Sequence, residues 1–118
     1  MKKISIITPC YNENKEGLME CCEKISKLFS EELKEYEYEH IICDNNSDEE
    51  TISALREISS KNKNIKIIIN AKNYGSAKSV FNGIKNSSGD AVLLFFPVDM
   101  QDPPEKIPEL VKKWENGF

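Results

Sequence analysis

Four short apolar runs, each cut off by a polar cluster and followed by a stretch with helical spacing, leave this chain few architectures. Ile4-Ser5-Ile6-Ile7 meets Thr8-Pro9-Cys10-Tyr11-Asn12-Glu13, and His40-Ile41-Ile42-Cys43 meets Asp44-Asn45-Asn46-Ser47-Asp48. Ile65-Lys66-Ile67-Ile68-Ile69 leads to Asn73-Tyr74-Gly75, and the run from Ala91 through Phe96 gives way to Pro97-Val98-Asp99-Met100-Gln101-Asp102. Runs rich in Ile and Val without strict alternation are what strands covered on both faces require. Between them, Leu18, Cys21/Cys22, Ile25, Leu28 and Phe29 form one helical stripe, and Ile52, Leu55 and Ile58 a shorter one. Ala77, Val80, Phe81 and Ile84 repeat the spacing, as do Ile107, Leu110, Val111 and Trp114. The order βαβαβαβα predicts an α/β fold: a mostly parallel sheet with right-handed crossovers and helices on both faces. All four polar clusters then fall on the carboxyl edge of the sheet, where open α/β sheets bind ligands.

The 118 residues suffice for one domain and one core. A net charge of −4 without a Lys/Arg stripe argues against nucleic acid as a partner. The basic start Met1-Lys2-Lys3 is followed by an apolar run too short for a signal peptide, and no stretch reaches the length of a membrane span. Cys10, Cys21, Cys22 and Cys43 match neither zinc spacing nor a disulfide framework, and are expected to be reduced, buried thiols of a cytoplasmic protein.

Helix starts are legible as well. Ser47-Asp48-Glu49-Glu50 and Asp102-Pro103-Pro104-Glu105 both have the pattern of capping boxes, with Ser47 and Asp102 as the caps. The acidic residues Glu31, Glu32, Glu35, Glu37 and Glu39 read as a solvated helix end and loop.

Of the edge residues, Asp99 is the one no cap explains. With Gln101 beside it, it offers hard oxygen ligands suited to Mg2+ or Mn2+, which commonly bridge substrate phosphates. Asp44 ends the second run, where an acidic residue either accepts hydrogen bonds from a base or ribose or closes an Asx-turn. Tyr11 could stack on a base, and Glu13 could accept hydrogen bonds or cap the first helix. Asn73 and Gly75 suit backbone turned close to a ligand. No glycine-rich phosphate loop is present, so a phosphate would need a metal or a basic side chain such as Lys78. His40, the single histidine, lies inside a strand and reads as structural.

Taken together, these clusters resemble the amino-terminal half of a family 2 glycosyltransferase with the GT-A fold, and in particular the polyprenyl-phosphate and dolichol-phosphate sugar transferases. Ile6 to Glu13 is similar to the opening strand and Pro-x-Tyr-Asn-Glu loop of the family. Cys43-Asp44-Asn45-Asn46-Ser47 resembles its Asp-Asp-Gly-Ser motif, with Asn45-Asn46 in place of Asp-Gly. Lys72-Asn73-Tyr74-Gly75 with Gly83 to Asp90 resembles a third block, and Asp99 to Glu105 the segment around the Asp-x-Asp metal motif.

The resemblance implies a Rossmann-like half-domain with strand order 3-2-1-4, spanning residues 1–118 as the nucleotide-sugar-binding portion of a longer catalytic domain. It implies that Pro9, Tyr11, Glu13, Asp44, Asn73 and Asp99 hold the nucleotide of a UDP- or GDP-sugar, with Asp99 and Gln101 at the Mg2+ or Mn2+. The acceptor would be a polyprenyl phosphate or a growing glycan, the parent sitting at the inner face of the membrane. The first aspartate of Asp-x-Asp falls at Pro97, leaving one carboxylate and implying weak metal affinity without nucleotide. The general base is expected beyond Phe118, so these residues should bind donor and transfer sugar poorly. The strand from Ala91 through Phe96 should form a sheet edge prone to self-association. Two other readings compete: a nucleotidyltransferase, which would carry a glycine-rich basic loop absent from Thr8–Glu13, and a non-catalytic nucleotide-binding module.

Overall fold

A computed structural model of the chain describes residues 2–73, 75–94 and 106–117. The strands are β1 (Lys3–Cys10), β2 (Glu37–Asp44), β3 (Ile65–Ile69) and β4 (Ala91–Leu94), alternating with α1 (Lys15–Glu31), α2 (Glu49–Lys61), α3 (Ser76–Lys85) and α4 (Ile107–Glu115). The strands form one sheet in the order β3-β2-β1-β4, and every pairing is parallel. The expected architecture and strand order are therefore observed.

Register divides the side chains of the sheet into two faces. Ile6 lies opposite His40 and Cys10 opposite Asp44, so these share a face, while Ile7 and Ile41 share the other. Ile4 and Ile6 pack with Cys21, Ile25, Ile107 and Val111 beneath α1 and α4. Cys10 and Ile42 pack with Leu18, Cys22, Leu55 and Ile58 beneath α1 and α2. Successive residues on a helix point about 100° apart, which sends the adjacent Cys21 and Cys22 into different clusters. All four cysteines are free and buried.

The opposite face is covered by α3, through Val80 against Ile7, Ile41 and Cys43. Here the expected stripe holds only at Val80. Phe81 and Ile84 are exposed, and beside Val80 the helix buries Ser79 and Gly83. The reason is close approach: a Cβ on Gly83 would stand 2.5 Å from Cys43 Sγ and 2.7 Å from Ile7 Cγ2. Small residues let this helix settle onto the strands, and its larger side chains are left pointing away. Val92 and Leu94 of β4, paired with Ser5 and Ile7, lie on the same face and are exposed too.

The two cap expectations fare differently. The N-cap of α2 is Asp48, whose carboxylate accepts the Thr51 N–H at 2.9 Å, and Ser47 is occupied elsewhere. α4 begins at Ile107 with Pro108 in its first turn, and the cap expected at Asp102 lies outside the described residues.

Glu39, expected on a solvated helix end or loop, also departs from expectation. It is only 2% exposed, on β2, because four groups converge on its carboxylate: Ser5 Oγ, Lys66 Nζ at 2.7 Å, Ser88 N at 2.6 Å and Lys3 Nζ at 3.6 Å. Burial pushes this carboxyl up, but the bonds from Lys66, Ser5 and Ser88 outweigh it and hold the group at about 2. The network ties three strands to the turn that enters β4. Acidic residues read by composition alone hide such a case, since only the sheet brings the partners together.

Candidate nucleotide-binding edge

The loops leaving β1, β2 and β3 are joined to one another at the carboxyl edge. Asn45 N donates to Cys10 O at 2.9 Å, and Asn70 N donates to Asp44 O at 2.9 Å, which extends the strand pairing past the strand ends. Asn12 N donates to Ser47 Oγ at 2.8 Å, and Asp48 N donates back to Asn12 Oδ1 at 2.8 Å. Asn45 Nδ2 donates to Asn73 Oδ1 at 2.6 Å. Residues separated by more than sixty positions, Tyr11 to Asn73, thus border one surface.

Two residues of these loops take up left-handed backbone, Asn12 at φ 48° and Asn46 at φ 65°. Asparagine tolerates that region better than most residues, which explains its use at both turns. Gly75, at φ 90°, precedes α3 and carries no side chain that could cap it.

Asp44 is fully buried. Its Oδ2 accepts the Ser47 N–H at 2.8 Å and its Oδ1 accepts the Ser47 hydroxyl. Of the two readings open for this residue, the turn is the one these bonds build. Tyr11, by contrast, is 48% exposed on the β1–α1 loop. Pro9 and Glu13 are half-buried on either side of it, and the Glu13 carbonyl accepts from Thr51 Oγ1 at 3.4 Å. Asn73 is exposed beside Gly75. β4 runs parallel to β1 with Leu94 opposite Ile7, so its direction leads toward the same edge. Asp99 and Gln101 lie outside the described residues.

Sequence reasoning missed Asn45, Asn70 and Asn82. Asn45 is 6% exposed and links the β2 and β3 loops, while Asn70, just past β3, backs it and is itself bonded by Asn82 of α3. The available signal was the run of asparagines after the second and third apolar segments, Asn45-Asn46 and Asn70 with Asn73.

Electrostatics at the edge are quiet where they could be reactive. Burial, then the Asp44 and Glu13 carboxylates, pushes the Cys10 thiol far up, so it stays protonated. His40 is buried against Thr8 Oγ1, 2.8 Å from Nε2, and burial lowers it to about 4. It is a neutral structural ring. Among the described residues, no cluster of three or more His, Cys, Asp or Glu could hold a metal ion. Nor is any described helix long and apolar enough to cross a membrane. A groove of about 350 Å³ between α1 and α2 opens near Ile65, the opposite end of β3, and takes no part in this surface.

Residues 5–118 match the family model described as glycosyl transferase family 2. The chain is 36% identical over 115 residues to a dolichol-phosphate mannosyltransferase of Pyrococcus furiosus, covering 98% of this chain and 31% of that protein. It is also 36% identical over 120 residues to an undecaprenyl-phosphate 4-deoxy-4-formamido-L-arabinose transferase of Proteus mirabilis, covering 100% of this chain and 35% of the relative. The chain therefore spans about a third of the length of the curated relatives it matches. In three dimensions it superposes with a TM-score of 0.76 on a mannosyltransferase from Pyrobaculum calidifontis in complex with GDP-Man and Mn2+, at 18% identity, over 94% of this chain and 32% of that one.

Proposed function

This chain belongs to glycosyl transferase family 2, and from that premise we propose that it binds a nucleoside-diphosphate sugar on the edge formed by Tyr11, Asn45 and Asn73. It serves as the donor-binding portion of an inverting transferase. The observation that carries this reading is the joining of three strand-end loops into one surface through Asn12–Ser47 and Asn45–Asn73. Tyr11 supplies an exposed ring for stacking on the base, with Pro9 and Glu13 flanking it. Asp44 serves the nucleoside by holding the turn that presents Asn45 and Ser47.

Asp99 and Gln101 fit a hard divalent cation by donor chemistry, a carboxylate with an amide oxygen. Mg2+ or Mn2+ held there would neutralise charge on the departing diphosphate. With Pro97 in place of a second carboxylate, the nucleotide itself must complete the metal site.

The acceptor class favoured is a polyprenyl phosphate at the inner face of the membrane, since both relatives above are named for such lipids. A GDP- or UDP-sugar is the donor class, and the neighbour holding GDP-Man favours GDP. Donor binding rather than complete transfer is the activity assigned to these residues. A non-catalytic nucleotide-binding module is the second reading, which Pro97 supports. Among the described residues β4 lies at the edge of the sheet, and homo-association through it is part of the same proposal.

Thermal denaturation with GDP, UDP and their sugars, with and without Mn2+, tests the reading. Stabilisation by a nucleotide, lost in Tyr11→Ala, is expected. Identical melting with every nucleotide would overturn it. Sugar transfer to a polyprenyl phosphate by a longer chain containing these residues would exclude the non-catalytic module.

A further inference from the structure

Behind the exposed edge, four asparagines and a serine form a continuous polar chain on the α3 side of the sheet. Asn82 Nδ2 donates to Asn70 Oδ1 at 3.3 Å. Asn70 Nδ2 donates to Ser79 Oγ at 2.7 Å and to Asn45 Oδ1 at 3.3 Å. Asn45 Nδ2 donates to Asn73 Oδ1 at 2.6 Å, and the Gly75 backbone N–H donates to that same oxygen at 2.9 Å. Ser79 is fully buried, with Asn70 and Asn45 at 5% and 6% exposure, so an unpaired amide in the middle would carry a desolvation cost.

The chain has one direction, and a single backbone group sets it. An amide side chain can be turned either way round, but a backbone N–H can only donate. Gly75 therefore requires the oxygen of Asn73. Asn45 must then present its NH2 to that oxygen, and its own oxygen turns to the NH2 of Asn70. The oxygen of Asn70 in turn receives Asn82. With its oxygen bonded twice, Asn73 has its NH2 left over, and among the described residues that nitrogen has no partner.

We infer that Asn70 and Asn82, set back behind the edge, are positioning residues that hold in place the orientation set at Gly75, in which Asn73 is a hydrogen-bond donor toward an acceptor group of the bound nucleotide. A base carbonyl, a ribose oxygen or a phosphate oxygen meets that requirement, and an N–H or O–H donor does not. This rests on the proposed nucleotide edge and specifies the polarity of one of its contacts.

The decisive variant is Asn73→Asp. It keeps an oxygen for Asn45 and Gly75 and replaces the outward NH2 by a second oxygen. Calorimetric titration of GDP and UDP with Mn2+ should show affinity falling about tenfold or more, the loss of one hydrogen bond plus repulsion. Unchanged or tighter binding would overturn the inference. Asn70→Asp should weaken binding at pH 7.5 and recover it as the introduced carboxyl is protonated at lower pH, because the protonated acid again donates toward Asn45. Weakened binding without recovery at low pH would mean that Asn70 only supports the fold, and would count against the relay.

Nuclear magnetic resonance of the ligand-free protein separates this idea from the broader reading. In the native chain the side-chain NH2 of Asn45 should exchange slowly with solvent, and Asn82→Ala should speed that exchange. No change on Asn82→Ala would overturn the relay even if nucleotides bind. Failure of the native protein to bind any nucleotide would instead overturn the site and the ligand role of Asn73, whatever the exchange shows.

Discussion

Ser47 Oγ accepts the Asn12 backbone N–H at 2.8 Å while its own hydroxyl proton goes to Asp44, so one side chain joins the β1–α1 loop to the end of β2. Ser47→Ala leaves Asn12 N and one Asp44 oxygen without these partners. Loss of about 1–3 kcal/mol in stability is expected from stranding such groups, read as a lower urea midpoint at unchanged slope. The affinity for GDP or UDP should fall with it, whereas Ser47→Thr, which keeps the hydroxyl, should retain most of both.

Gly83 tests why α3 buries its small residues. Gly83→Ala places a methyl within 2.5 Å of Cys43 Sγ and 2.7 Å of Ile7 Cγ2, so the helix must lift or the strands must shift. Destabilisation of about 1–3 kcal/mol follows from overpacking. Cys43→Ala combined with Gly83→Ala removes one of the two clashes and should recover part of the loss beyond additivity.

Acid should unfold the protein in two successive windows. His40 is lowered by burial from 6.5 to about 4, so the unfolded chain takes up that proton first, and stability falls between those values and no further from this group. Glu39 is held at about 2 against an ordinary 4.5, so its contribution is present above 4.5 and drains away as pH drops toward 2. Glu39→Gln should flatten the lower window only. Since His40 is the only histidine, its ring resonances can be followed without ambiguity, and they should not titrate between pH 5 and 8.

Metal should bind weakly to the free protein and more tightly with nucleotide. Titration of Mn2+ with and without GDP or UDP checks this, and tight binding to the free chain would refute it. Pro97→Asp, which supplies the missing carboxylate, should raise metal affinity in the absence of nucleotide.

β4 pairs only with β1 among the described residues and exposes Val92 and Leu94 beside an open strand edge. Concentration-dependent association is expected, and light scattering should show its reduction by Val92→Lys, since a charged edge resists pairing. A strict monomer at high concentration would contradict this.

Much of this was readable before any coordinate. Strand and helix order followed from where Ile-rich runs give way to helical spacing, because those periods are local properties of the backbone. The candidate edge was readable in part: the clusters around Tyr11, Asp44 and Asn73 stand at strand ends, and parallel strands must bring such ends together. Local spacing could not tell which helix face is buried on α3, since Gly83 and Ser79 matter only against Cys43 and Ile7. Nor could it separate Glu39 from the solvated glutamates before it, because Lys66 and Ser88 come from distant segments.

The sequence by itself determined the alternating α/β order and the asparagine-rich strand ends, since both depend on neighbours within a few residues. Tertiary structure alone decided that Asp44 holds a turn, that Asn45 meets Asn73, and that one backbone N–H at Gly75 orients the amides behind them. Hydrogen bonds and burial depend on which distant groups share a place, and only the folded sheet assigns those places.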